Sequence, residues 1–104
     1  MKFTTLIPTT RNDGTPVSAA EASAIVRRFF QQFGACTVEC RTEGYWVDEG
    51  NLYQDECLKL SVACENDRLA EAETLVKEIG KQLGQLAMYF EVQHFDGVRI
   101  LRCD

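Results

Sequence analysis

The sequence predicts an α+β domain in which two helices cover one face of an antiparallel sheet. Three observations lead to this prediction. In several segments apolar residues alternate with polar ones, as in half-buried strands. In two other segments the apolar residues recur every three or four positions, as in amphipathic helices. The segments follow one another in the order strand, helix, strand, strand, helix, strand.

Size and composition restrict the class of protein. A chain of 104 residues predicts a single domain spanning 1-104, and 45% hydrophobic with 26% charged residues excludes disordered and collagen-like chains. The net charge of -5 opposes binding to nucleic-acid phosphates or anionic lipid. We find no signal peptide and no apolar run near the ~20 residues of a membrane span. We therefore expect a cytoplasmic protein whose partners include no nucleic acid and no membrane.

The first strand and first helix are predicted near the N-terminus. Alternating residues from Lys2 onward predict a strand that ends at Pro8, because proline cannot donate to the ladder. Ser18 and Glu21 have the spacing of a capping box, in which each side chain accepts a hydrogen bond from the other residue's backbone N–H. Gly34 provides the left-handed residue that ends the helix. The apolar face of this helix consists of Ala22, Ile25, Val26, Phe29, Phe30 and Phe33.

A long hairpin is predicted next, with its turn at 48–51. Its strands alternate apolar and polar residues. The inward residues are Cys36, Val38 and Cys40 in one strand, and Leu58, Leu60, Val62 and Cys64 in the other. To keep both rows on one face, paired positions must differ by an even number. One register of this kind places Val38 opposite Val62 and Cys36 opposite Cys64.

A second helix and a final strand complete the predicted order. The helix begins at Asn66-Asp67, ends near Gly84, and has an apolar stripe formed by Leu69, Ala72, Leu75, Val76, Ile79 and Leu83. A strand follows at 88–95. The Asp96-Gly97 pair is a hairpin signal that predicts an extra C-terminal strand at 98–101. This order matches the ferredoxin-like split βαβ pattern (βαββαβ), in which right-handed crossovers place both helices on one face.

A series of turn glycines and strand positions runs through the first two-thirds of the chain. It comprises Gly14, Val17, Ser18, Glu21, Phe33, Thr37, Val38, Gly44, Trp46, Gly50, Glu56, Leu60 and Val62. The series resembles the pattern of an uncharacterised bacterial family of small domains of unknown function. The resemblance implies no activity, because none is established for that family.

The hairpin contains the first candidate ligand-binding residues. Trp46 and Tyr53 are predicted to flank a groove, with Glu56 as an anchoring carboxylate, because aromatic rings beside a few polar groups suit a small-molecule site. The alternative is that the two rings brace the hairpin through cross-strand contact.

His94 is the single histidine and a further candidate. As a general base it would need an orienting carboxylate such as Glu56 or Asp96. The alternative is a hydrogen-bonded histidine at the end of a core strand. A cavity that joins His94 to a carboxylate would favour an enzyme.

The five cysteines are predicted to be reduced, because an odd number without framework spacing does not indicate a disulfide scaffold. We expect Cys36, Cys40 and Cys64 to face inward, and Cys57 and Cys103 to be more accessible. No metal site is expected, because Cys36 and Cys40 would lie ~13 Å apart along one strand. No cofactor is expected either, since no phosphate-binding loop is present.

The sheet face opposite the helices is predicted to carry a mixed set of side chains: Leu6, Glu39, Arg41, Lys59, Ala63, Tyr89, Glu91 and Phe95. Within this set, Leu6, Tyr89 and Phe95 are the candidate interface residues. We predict a noncatalytic binding or assembly module, a homodimer through this face, with a small molecule or another protein as a further partner. The alternative is a small cofactor-independent enzyme of the dimeric α/β-barrel oxygenase kind, with a site formed by Trp46, Tyr53 and His94.

Overall fold

The computed structural model describes residues 1–97 and 99–103. Within these residues a four-stranded antiparallel sheet is combined with two α-helices, which confirms the α+β prediction. The strand order across the sheet is β2-β3-β1-β4, an arrangement compatible with a ferredoxin-like domain. The elements are β1 (Lys2–Pro8), α1 (Ala19–Phe33), β2 (Thr37–Asp48), β3 (Asn51–Ala63), a 3₁₀ turn (Asn66–Arg68), α2 (Leu69–Gln82) and β4 (Phe90–Gln93).

One core lies between the helices and the sheet. Phe3 of β1 is fully buried, and its ring lies 6.3 Å from that of Phe29, 5.2 Å from that of Phe33 and 5.6 Å from that of Phe90, centroid to centroid. Both helices contribute to this core together with β1 and β3, so both cover the same sheet face. The other buried apolar side chains of the cluster include Ile7, Ile25, Leu60, Val62, Ala72, Leu75, Val76, Ile79 and Leu83.

The ends of α1 follow the predicted capping residues in part. The Ser18 side chain accepts a hydrogen bond from the backbone N–H of Glu21 at 3.1 Å, and Gly34 ends the helix at φ 90°. The Glu21 carboxylate binds the Arg11 guanidinium and accepts a hydrogen bond from Gln82, so it does not complete a reciprocal capping box. These two contacts hold the pKa of Glu21 below its usual value, with the Arg11 hydrogen bond as the largest cause.

The register of the β2–β3 hairpin differs from the predicted one. Glu49 and Gly50, at φ 51° and 80°, form a two-residue turn, which fixes Asp48 opposite Asn51. Continued without interruption, this register would turn the apolar residues at the start of β2 away from the core. A β-bulge at Glu39 corrects the mismatch. Val38 therefore pairs with Leu60, whereas the prediction of Val62 was wrong by two residues.

The bulge also reverses the faces of the residues that follow it. Cys40 pairs with Lys59, and Arg41 pairs with Leu58. Cys40 therefore does not share a face with Cys36, and the prediction that it faces inward was wrong: it is exposed. Arg41 likewise lies on the helix-side face, since its partner belongs to the core row.

The C-terminal segment departs from the prediction. β4 covers only Phe90–Gln93, and residues 94–97 and 99–103 contain no strand, so the extra C-terminal strand is not found in the described residues. Val98, the first residue of the predicted strand, lies outside the described residues. Gly97 has φ 129° while Asp96 keeps a negative φ, so the pair adopts neither of the two-residue turns that close hairpins.

The hairpin extends beyond the rest of the sheet. The last pair between β1 and β3 joins Pro8 to Cys57, so the strand pairs of residues 43–56, called the arm below, are only with each other. At the base of the arm, the backbone N–H and the hydroxyl of Thr9 both donate to the Glu56 carbonyl. The molecule measures 51 × 28 × 21 Å, with a radius of gyration of 14.7 Å. A compact domain of this length has a radius near 13 Å. No helix in the described ranges is long and apolar enough to cross a membrane.

Candidate functional site

A groove of about 310 Å³ lies on the open face of the sheet, which is the face opposite the helices. It forms where the base of the arm meets β1 and the segment before β4. Strand alternation turns Trp46 of β2 and the side chains of Asp55 and Cys57 of β3 toward this face. The residues that line the groove include Leu6, Trp46, Asp55, Cys57, Met88 and Tyr89.

Trp46 lines the groove and also braces the arm. Its ring stacks on that of Tyr53, its cross-strand partner, with centroids 4.4 Å apart and an interplanar angle of 18°. The indole N–H donates a hydrogen bond to Asp55 Oδ2 at 3.2 Å. Tyr53 lies behind Trp46 and is not among the groove residues. The two aromatic residues therefore do not flank the groove, and their contact fits the bracing role.

Glu56 lies on the other face of the arm. It pairs with Glu43 and forms an ion pair with Arg41 at 3.3 Å between exposed side chains. The carboxylate beside Trp46 is that of Asp55, one position earlier in β3. Asp55 was not among the predicted site residues, although strict alternation from Tyr53 places it on the same face as the aromatic pair.

Cys57 lies in the groove and is only 5% exposed, so the prediction that it is accessible was wrong. Its position opposite Pro8, at the last β1–β3 pair, explains the burial. Burial raises the pKa of the Cys57 thiol to about 11, and the negative charges of Asp55 and Glu56 add to this effect. The thiol is therefore protonated at neutral pH and is a weak nucleophile.

The three predicted interface residues do not form one patch. Leu6 and Tyr89 line the same groove. The Tyr89 hydroxyl donates a hydrogen bond to Glu91 at 3.0 Å, which raises the pKa of Tyr89. Phe95 follows β4 and lines a different cavity of about 460 Å³ with Met1 and other residues at the opposite end of the sheet.

His94 follows the end of β4 and is exposed. It lines none of the three cavities described for this structure. Within the described residues, no group of three or more His, Cys, Asp or Glu side chains could hold a metal ion. The residues that line the groove thus include a tryptophan, two tyrosines (Tyr45 and Tyr89), a buried cysteine and one aspartate, without a histidine.

Comparison of the sequence with known proteins finds no matching family model and no curated protein with significant similarity.

Proposed function

We propose that this chain is a noncatalytic assembly module that forms a homodimer through the open face of its sheet. The observation that carries the proposal is the groove, where Leu6 and Trp46 lie beside Tyr89, whose residue surface is 51% exposed. Both helices cover the other face, and no helix of the described residues covers this one. Apolar and aromatic surface on a flat sheet favours a partner. A twofold pairing would bury the same patch on both copies.

Charges on the open face support such a pairing. Lys59 lies opposite Leu6 on the β3 side, and Glu91 lies opposite Thr4 on the β4 side. In a twofold pair, Lys59 of one copy and Glu91 of the other can set the register through opposite charges at the edge of the patch.

The proposal includes a ferredoxin-like assignment, which the strand order supports, and a cytoplasmic location, which the odd number of cysteines favours.

The enzyme alternative has less support. A general base must reach the proton that it removes, and His94 lies outside the groove. Of the titratable residues that line the groove, Asp55 is bound to the Trp46 indole, while Tyr45, Cys57 and Tyr89 have raised pKa values. The thiol and phenol groups are held protonated and the Asp55 carboxylate is engaged by the indole, so we favour assembly.

The test is the oligomeric state of a variant with a charge in the groove. Tyr89→Glu should weaken the dimer in sedimentation velocity at least about tenfold, because burying an unpaired carboxylate costs more than the ~1.4 kcal/mol of a tenfold change. Tyr89→Phe should remain dimeric. Phe30→Glu provides the matched control, since Phe30 is a 43% exposed aromatic residue in the helix layer.

Two results would contradict the proposal. One is an unmodified protein that sediments as a monomer well above micromolar concentration. The other is a Phe30→Glu variant that dissociates as much as Tyr89→Glu while both keep their far-ultraviolet circular dichroism.

A further inference from the structure

The charge of the molecule is concentrated in the arm. Five of the sixteen acidic residues lie there and none of the eleven basic ones, so the arm carries a charge of -5, equal to that of the whole chain. The rest of the chain is balanced. The five acidic residues of the arm are Glu43, Asp48, Glu49, Asp55 and Glu56.

The arm also exposes apolar side chains on one face, called the outer face below. Val47 and Leu52 are cross-strand partners and are each 67% exposed, and Tyr45 on the same face is 59% exposed. The opposite face of the arm is occupied by the Trp46–Tyr53 stack. A two-stranded hairpin that leaves one apolar face open is only marginally stable on its own. The outer face therefore has the character of a contact surface.

A second groove, of about 470 Å³, lies between α2 and the segment 85–88. We call it the α2 groove. Its wall is largely apolar and includes Val76, Met88 and the 67% exposed Leu86. At Gly80 an added Cβ would lie 2.7 Å from Met88 Cγ, so the glycine allows Met88 to pack directly against the helix.

Basic side chains border the α2 groove. Lys77 and Lys81 are one helical turn apart and both line it, together with Glu73. Neither lysine forms an ion pair with another described residue. The groove thus presents two available ammonium groups beside apolar surface, which is the complement of the acidic and apolar arm.

We infer that the outer face of the arm binds in the α2 groove of a second copy of this chain. Val47 and Leu52 cover the apolar wall, while Glu49, in the turn next to them, meets Lys77 and Lys81. Each copy has one arm and one groove, so a twofold exchange uses both arms and closes the assembly. This surface is separate from the sheet face of the proposed function and shares with it only the requirement for self-association.

The test uses charge reversal on each side of the contact. Glu49→Lys places a lysine opposite Lys77 and Lys81 in its own dimer, and Lys77→Glu/Lys81→Glu places carboxylates opposite Glu49. Each variant alone should associate at least about tenfold more weakly in sedimentation velocity. An equimolar mixture should regain the wild-type dimer, because both arm–groove contacts of the mixed pair then join opposite charges. Arg27→Glu/Arg28→Glu, with the same change of net charge on α1, should not participate in this rescue.

The outcomes separate this inference from the proposed function. Weakening by either reversal without rescue in the mixture, or no weakening at all, overturns the arm contact. If Tyr89→Glu dissociates the dimer while both charge reversals leave it intact, the sheet-face proposal holds and the arm contact is wrong. If the reversals weaken the dimer and rescue one another while Tyr89→Glu has no effect, the arm contact holds and the sheet-face proposal is wrong.

Discussion

The two halves of β3 share the geometry of one strand but differ in their surroundings. In the second half, β1 and β2 lie on either side and the helices cover one face, so Leu60 and Val62 are almost completely buried. In the first half, β2 is the one neighbouring strand among the residues that the structure describes, and Leu52 is 67% exposed. The alternation sets the face of each side chain, whereas burial depends on a third strand and a helix layer.

The covered half of β3 and the arm also differ in the contacts that stabilise them. The covered half is held by a continuous core, while the arm is held by cross-strand pairs, the Trp46–Tyr53 stack and exposed polar contacts such as that between Arg41 and Glu56. Regions with few buried apolar contacts open locally at lower free energy than the global unfolding. We therefore expect substitutions in the core to affect the whole fold, and substitutions in the arm to affect the arm first.

The largest expected effect is the loss of a core ring. Phe29→Ala should lower the free energy of unfolding by about 3–5 kcal/mol, because the side chain is completely buried. Phe30→Ala is the matched control on the same helix. Its residue is 43% exposed, and we expect a loss below about 1.5 kcal/mol. Denaturant unfolding measures both values, and equal losses would contradict the orientation of α1.

A smaller and local effect is expected in the arm. Trp46→Ala removes the stack on Tyr53 and the hydrogen bond to Asp55, and the aromatic pair alone contributes about 0.5–1.5 kcal/mol. Amide hydrogen exchange should become faster at residues 43–56 but remain slow at Leu60. Trp46→Phe should restore most of the protection. A uniform loss of protection across β3 would show that the arm and the core unfold as one unit.

Much of the fold could be predicted from the sequence because local rules determine it. Gly34 and Ser18 bound α1 as capping chemistry requires, and the even register kept Val38 on the core face. The pairing of Val38 with Leu60 could not be predicted, because it depends on the bulge at Glu39. The bulge shifts the register set by the two-residue turn by one residue, which returns Val38 to the core face. The predicted C-terminal strand is not found in the described residues. The backbone at Asp96 has a negative φ, whereas the two-residue turns that close hairpins require a positive one at this position.

The candidate site was predicted in part. Trp46 lies in the groove, and Leu6 and Tyr89 lie there together. Asp55 was missed, and Cys57 was predicted only as an accessible thiol. The groove is formed by the arm, β1 and the segment before β4, and sequence periodicity does not show how these three regions approach one another. Glu56 and His94 were predicted from their chemistry, and both lie outside the groove. Glu56 is on the other face of β3, and His94 follows the end of the short β4.

The smallest effect on stability, and the finest probe of the boundary between the two regions, concerns the thiols. Cys57 occupies the last β1–β3 pair, whereas Cys40 is exposed next to the bulge. At pH 8, iodoacetamide should modify Cys40 readily and Cys57 much more slowly, because the pKa of the Cys57 thiol is raised to about 11 and its side chain is buried. Peptide mass spectrometry would measure the two rates.

The same pKa gives the direction of the pH dependence. Because the folded-state pKa of Cys57 lies above the ordinary value of 9.0, the contribution of this thiol to stability is fully present below pH 9 and is lost as the pH rises toward about 11. Modification of Cys57 should therefore remain slow until that range and then accelerate as the thiolate forms and the covered region opens. Modification of Cys57 at pH 8 as fast as that of Cys40 would contradict its burial. It would show that the exposed part of β3 includes the last β1–β3 pair.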